Sequence, residues 1–244
     1  MTNEVGFETS SMSTQIAYLF GSIFLFIIWL FIYFKLSSKD SRQEMIKVSL
    51  ATSVLGLTEP IFVPEYWNPS TIFNLAQRTS FDIESFIFAF AVGGIAVSIY
   101  EVASRVKHQK LPIDRMHDPR HKFHLLALFA APTSFIFLYA LTSLNPIYST
   151  ILSLFIGALA TFYCRPDLIK KMATSGIIFF FIYFIFFFIF NILFPGYIQK
   201  VWNLKALSGI LLFGIPLEEL VFATSLGLMW SSVYEHVFWY KVRS

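Results

Sequence analysis

Long apolar runs broken by short polar segments dominate the chain. Stretches such as 22–34 and 176–194 contain no charged residue. Each approaches the ~20 residues that a helix needs to cross a bilayer core. The pattern predicts seven spans, at roughly 13–36, 45–63, 81–104, 123–142, 146–163, 173–194 and 216–238, of which the second and fifth are short. Two of them carry the same pattern. Phe81 through Glu101 and Ile215 through Glu235 align at constant offset, with Glu84/Glu218, Phe88/Phe222, Ala89/Ala223, Gly93/Gly227, Ser98/Ser232, Tyr100/Tyr234 and Glu101/Glu235 identical. An acid at the start of an apolar helix is costly at bilayer depth and usually functional, so a duplicated one suggests a site between two halves.

Composition narrows the class. At 56% hydrophobic and only 14% charged residues, the chain reads as a multi-pass membrane protein rather than a soluble domain. The first residues hold Glu4 and Glu8 but no basic group before the first apolar run. They lack the n-region of a cleavable signal peptide, so that run is expected to be kept as a helix. The single cysteine, Cys164, has no internal disulfide partner, and no Cys/His spacing resembles a structural zinc site. No metal is expected on that ground. A net charge of +3 calls for no nucleic acid, because the bases cluster beside apolar helices as topology alone requires.

Charge also orients the spans. Of 18 lysines and arginines, all but Arg78, Lys200 and Lys205 fall on one side of the seven-span scheme. The positive-inside rule then places the N-terminus outside and the C-terminus inside, in the cell membrane. The offset that aligns span three with span seven also brings span one onto span five. The expected fold is therefore all-α, a parallel 3+1+3 internal repeat related by a pseudo-twofold along the membrane normal. Its parts are a first three-helix repeat (1–106), a basic inner loop with a linker helix (107–143) and a second three-helix repeat (144–244).

Each glutamate-bearing span follows a segment with a Trp-Asn pair, Trp67-Asn68 and Trp202-Asn203. Interface anchoring is the plainer reading of such tryptophans. Their recurrence at nearly the same distance before Glu84 and Glu218 favours a shared lid. Asp82 and Pro216 suit the N-cap and first turn of the helices that follow. Within each helix, Glu84 and Phe88, or Glu218 and Phe222, are four residues apart and share a face. Glu219 points about 100 degrees away from Glu218, so the two acids address different surroundings. Glu59 and Glu65, at the end of span two, lie in a segment expected to fold back toward the site. Capping, or pairing with Arg78 and Lys205, is the competing role for Glu84 and Glu218.

The run Ile215-Pro216-Leu217-Glu218-Glu219-Leu220-Val221-Phe222 resembles the Pro-x-Glu-Glu-x-x-Phe motif of the membrane-integral lycopene cyclases, which occur as two small three-helix subunits or as one fused chain. The 3+1+3 plan resembles the fused form over nearly the whole length. The resemblance implies a redox-neutral cyclisation of the linear ends of lycopene into β-rings. A terminal double bond is protonated, the ring closes through a carbocation, and a neighbouring proton is lost. It implies Glu218 as acid, Glu219 as its tuning partner or base and Glu84 as a second-site acid. Phe88, Phe222, Trp67, Trp202, Asn68, Asn203, Glu59 and Glu65 would bind substrate. The first repeat departs from the motif at Asp82 and Ser85, lacking its proline and its second acid. The implied partners are a carotenoid or other polyisoprenoid and the bilayer. A second subunit or a homo-oligomer stays open.

Three other readings compete. A retinal protein needs a lysine on its last span, and 216–238 has none. Transport or passive isoprenoid binding would suit the parallel plan, yet the polar groups gather at helix ends. An intramembrane prenyltransferase would hold magnesium on aspartates, but only one Asp-x-x-x-Asp occurs, Asp114 to Asp118. The histidines 108, 117, 121 and 124 are expected to lie in a solvated basic loop. A polyene channel or, more plainly, a lipid-facing wall is expected of the Phe-rich run 179–194. No cofactor is identified: the glycines at 93–94 and 209–214 lack the strand-to-helix context of a nucleotide loop.

Overall fold

The structure, a computed structural model, describes residues 2–116 and 118–243, with only the backbone described for 2–15, Lys107, Arg115 and Arg243. It is mostly helical. The principal helices are α1 (Thr2–Lys35), α2 (Lys39–Ser53), α3 (Ile83–Ser104), α4 (His124–Leu141), α5 (Pro146–Cys164), α6 (Ile169–Leu193), α7 (Leu217–Trp230) and α8 (Val233–Phe238). Among the described residues, six helical segments are long and apolar enough to cross a bilayer: Ile16–Lys35, Lys39–Phe62, Ile83–Ser104, Pro119–Leu141, Pro146–Cys164 and Pro166–Leu193. Large side chains such as Phe31, Leu126, Leu159 and Phe181 stand exposed on their outer faces. That is unfavourable in water and neutral against lipid tails.

The seventh expected span is interrupted. α7 ends at Trp230, a turn follows at Ser231-Ser232, and α8 begins at Val233. Both serine hydroxyls bond back to carbonyls of the preceding turn, Ser231 to Leu228 and Ser232 to Met229 (3.4 and 3.1 Å). Such back-bonding competes with the helical ladder and bends helices.

Packing sets the two glutamate-bearing helices in similar positions. α3 lies against α1 and α2, and α7 lies against α5 and α6, while α3 also meets α6 and α7. α4 packs on α5, with most of its surface outward. The close approach of each pair rests on the aligned glycines. A Cβ at Gly93 would sit 2.3 Å from the Thr52 hydroxyl of α2; one at Gly227 would sit 2.9 Å from the Ser175 carbonyl and the Gly176 Cα of α6. Small residues at such crossings let backbones meet where no hydrophobic force drives helices together. Because the neighbour of Gly227 is backbone and cannot rotate away, Gly227→Ala is expected to destabilise the protein by about 1–3 kcal/mol, measured by thermal unfolding in detergent.

The ends of the bundle differ. At the tryptophan end the segment after α2 turns through a short helix, Glu59–Phe62, and crosses toward the second half. Trp67 and Trp202 form an antiparallel bridge there. The Asn68 amide donates to the Val201 carbonyl (2.8 Å) and the Asn203 amide to the Tyr66 carbonyl (2.9 Å). The exchange is reciprocal, as a twofold relation between the two segments requires. At the basic end, β1 (Lys107–Lys110) pairs antiparallel with β2 (Tyr240–Arg243), joining the loop after α3 to the C-terminal segment.

Candidate active site

Asp82 begins α3 as expected, its Oδ1 accepting from the Ser85 amide (2.6 Å). With that turn fixed, Glu84 points back at the preceding loop and its Oε1 accepts from the Ile72 amide (2.7 Å). Glu218 behaves alike. Its Oε1 accepts from the Ser208 amide (2.7 Å), and also from the Tyr148 hydroxyl of α5 (2.7 Å). Both acids thus hold the loop that precedes their own helix. In each, Oε2 is buried without a partner.

Glu219 faces elsewhere, as the helical angle requires. It is 4% exposed and lies at the junction of the two halves. Its Oε1 accepts from the Tyr66 hydroxyl and from the Trp202 indole (2.9 Å), and Tyr183 of α6 stands beside it. The segment carrying Tyr66 belongs to the first half, so that half supplies a donor to the second half's acid. Burial and the adjacent Glu219 carboxyl push the Tyr66 hydroxyl well above its ordinary value, which keeps it a donor.

On the other side of the tryptophan bridge, Ser85 occupies the place aligned with Glu219. The Tyr18 hydroxyl lies 2.8 Å from its Oγ. Glu59, buried with Oε1 unpartnered, stands beside Ser85 and Trp67. A carboxyl missing from the first repeat in sequence is thus supplied in space by the end of α2. Between the two clusters lies an apolar cavity of about 40 Å³, lined by Tyr18, Trp67, Phe88, Phe187, Tyr197 and Trp202 among others. The Trp67 and Trp202 ring centroids are 5.2 Å apart. The cavity holds a few atoms, so a larger apolar group would enter only if phenylalanines of α6 swung aside. Phe179, Phe186, Phe187 and Phe190 face inward, whereas Phe181 and Phe188 are exposed. The Phe-rich helix is both a chamber wall and a lipid-facing wall.

The remaining expected site residues take other places. Phe222 packs on Tyr183 (ring centroids 6.4 Å). Glu65, Asn68 and Asn203 are exposed; the Glu65 carbonyl accepts from Asn145 (2.8 Å) and Asn203 (3.2 Å), tying this segment to the second half. Asp118 caps its own turn, its Oδ1 accepting from the Arg120 amide (3.0 Å). The sequence reading gave no role to Tyr18, Tyr148 or Tyr183. Tyrosines in an apolar helix carry no periodic signal, and only contacts across the fold reveal theirs.

Residues 145–237 match the family model described as Lycopene cyclase. The second half of the chain is thus similar to a lycopene cyclase domain. The matched region holds α5 to α7 with Tyr148, Tyr183, Trp202, Glu218 and Glu219; Glu59 and Glu84 lie outside it. Comparison with curated proteins and with solved structures finds no match. The match supports a carotenoid cyclase function in general terms.

The opposite end of the bundle carries a second buried cluster. Lys171 of α6 donates to Glu44 of α2 (3.2 Å), Glu101 of α3 (2.5 Å) and Glu235 of α8 (2.6 Å). His108 Nε2 lies 3.0 Å from Glu44 and 2.9 Å from Glu235. The expectation of solvated loop histidines is corrected here: pairing of β1 with β2 carries His108 inward, its side chain 2% exposed. His124 is buried as well, and His117 lies outside the described residues. Burial pulls the His108 imidazole down, but hydrogen bonds to Glu235 and Glu44 outweigh it and hold it up at about 10. A raised folded value stabilises fully below the ordinary imidazole range, and the contribution is lost as pH rises through about 10. Thermal stability in detergent is therefore expected to fall between neutral pH and about pH 10, with a smaller fall in His108→Gln.

Proposed function

We propose that the chain cyclises the linear ends of lycopene into β-rings, through proton donation and return at a buried carboxyl. The observation that carries the reading is Glu219, held between Tyr66 and Trp202 where the two halves meet, beside an apolar chamber walled by aromatic rings. Protonated Glu219 adds its proton to the terminal double bond of the polyene. The resulting tertiary cation is attacked by the next double bond in reach, closing a six-membered ring and moving the charge onto it. Loss of a proton from the carbon beside the new cation, to the Glu219 carboxylate, forms the ring double bond and restores the acid. Atoms and electrons balance without an oxidant.

Trp67 and Trp202 offer ring faces to the cation, each worth about 0.5–2 kcal/mol, and the apolar lining keeps out the water that would quench it. Glu218 and Glu84 support this site by fixing the Ser208 and Ile72 loops, so the role of acid moves from Glu218, as the motif alone implies, to Glu219. Glu59 is its counterpart in the first half, filling the place left by Ser85. Supporting this assignment are the reciprocal Trp67-Trp202 bridge and the matched neighbours of α3 and α7. Both suit a parallel 3+1+3 repeat spanning the cell membrane with its basic end inside, divided as 1–106, 107–143 and 144–244.

Expression in a bacterial host that accumulates lycopene tests the reading by chromatography of the pigments. One- or two-ringed carotenes support it. Unchanged lycopene, with the chain folded in the membrane, refutes lycopene cyclisation as the stand-alone activity and favours isoprenoid binding or transport.

A further inference from the structure

At the basic end, two neighbouring histidines and a cysteine distant from them in sequence converge outside the proposed active site. His121 lies in the short 3-10 turn Pro119–Phe123 that leads into α4, His124 is the first residue of α4, and Cys164 is the last of α5. Cys164 Sγ is 3.3 Å from His121 Nδ1 and 3.6 Å from His124 Nδ1. All three donor atoms lie within 4.8 Å of one another. In a tetrahedral zinc site, bond lengths of ~2.3 Å to sulfur and ~2.0–2.1 Å to nitrogen put the S and N ligand atoms about 3.6 Å apart. The observed separations already match that edge.

We propose that His121, His124 and Cys164 form a binding site for a zinc-class divalent metal ion. Thiolate and imidazole are the ligands such borderline-soft ions take. The fourth position opens on a cavity of about 500 Å³ that His121 and Cys164 help to line. Asp118 and Asp167 line it together with Arg120, Arg165 and Lys241, so the charge of the ion is met chiefly by the Cys164 thiolate. Of these cations, Arg165 is already matched: its guanidinium is held in a bidentate pair by Asp167 (2.9 and 2.7 Å) and by the carbonyls of Glu235 and Tyr240. His236, in ring contact with His124 (4.7 Å), is buried with Nε2 unpartnered.

The other cluster of possible ligands, Glu44, Glu101, His108 and Glu235, is different in kind. It already encloses a cation, the Lys171 ammonium. Among the described residues the His-Cys set encloses none. Its position gives the ion a mechanical role, because α4 rests chiefly on α5 and is otherwise outward-facing. Bonds from one ion to the turn before α4, to the first residue of α4 and to the last of α5 would fasten the linker helix to the second half.

The test uses the full chain purified in detergent with an affinity tag free of histidine. Elemental analysis after growth in zinc-supplemented medium is expected to give about one equivalent of zinc per chain. Cobalt added to the zinc-stripped protein is expected to give a thiolate-to-metal charge-transfer band with the visible bands of a tetrahedral ion. Cys164→Ser should lose the charge-transfer band, and His121→Ala, at a half-exposed position, should lose most of the bound metal. Substoichiometric zinc together with cobalt spectra that lack the thiolate band, or that are the same in wild type and Cys164→Ser, would overturn the proposal. None of these readouts depends on cyclase activity.

Discussion

Glu219→Gln is expected to lower ring formation by about 10²–10⁴-fold, the usual worth of a positioned acid–base group. The variant keeps the shape of the side chain, and its amide oxygen can still accept from Tyr66 and Trp202, so the bundle should fold and hold substrate. The measurement is pigment conversion in lycopene-accumulating cells, normalised to the amount of chain in the membrane. Glu218→Gln should cost less, because its Oε1 is engaged with the Ser208 amide and Tyr148, and a glutamine oxygen can accept both bonds. The opposite ranking would return the acid to Glu218. Glu59→Gln divides two versions of the account: loss of activity comparable to Glu219→Gln makes both halves catalytic, and near-normal activity leaves the chemistry to the second half alone.

Lys171→Met is expected to destabilise the protein by about 3–5 kcal/mol, the range for removing one partner of a buried ion pair. The side chain is 2% exposed and touches carboxylates from α2, α3 and α8. Without the ammonium, three acids would share one imidazole. Thermal unfolding in detergent should show the loss, and adding Glu101→Gln to Lys171→Met should recover part of it, since one uncompensated carboxylate is then removed. Independent, additive effects of the two substitutions would mean that the pair does not interact.

Much of the scaffold was legible along the chain because apolar length and helix starts are local properties. The Asp82 cap, the divergence of Glu218 from Glu219 by a helical angle, and the recurrence of the Trp-Asn pairs all have direct structural counterparts. The break at Ser231-Ser232 was missed because hydropathy does not register hydroxyls bonding back to carbonyls. Glu59 beside Ser85, Tyr66 on Glu219, and Lys171 among three acids each join residues that are distant in sequence. Periodicity within one helix carries no information on such pairs. Nor did Cys164 and the His121/His124 turn announce each other, since their meeting depends on how α4 packs against α5. The identity of Glu101 and Glu235 in the two aligned stretches was visible, but its reason, a shared lysine, was not.

The account rests centrally on a proton delivered to the polyene. Membranes containing the chain, incubated with lycopene in deuterated water, test it by mass spectrometry of the ring-bearing products. With the chain first equilibrated in deuterated water, the account predicts one deuterium in the first ring each chain forms and up to one in later rings, because Glu219 recovers a substrate proton in each cycle. The label is retained on the ring carbon that received it, and Glu219→Gln gives no labelled rings. First rings that form without solvent deuterium would contradict it.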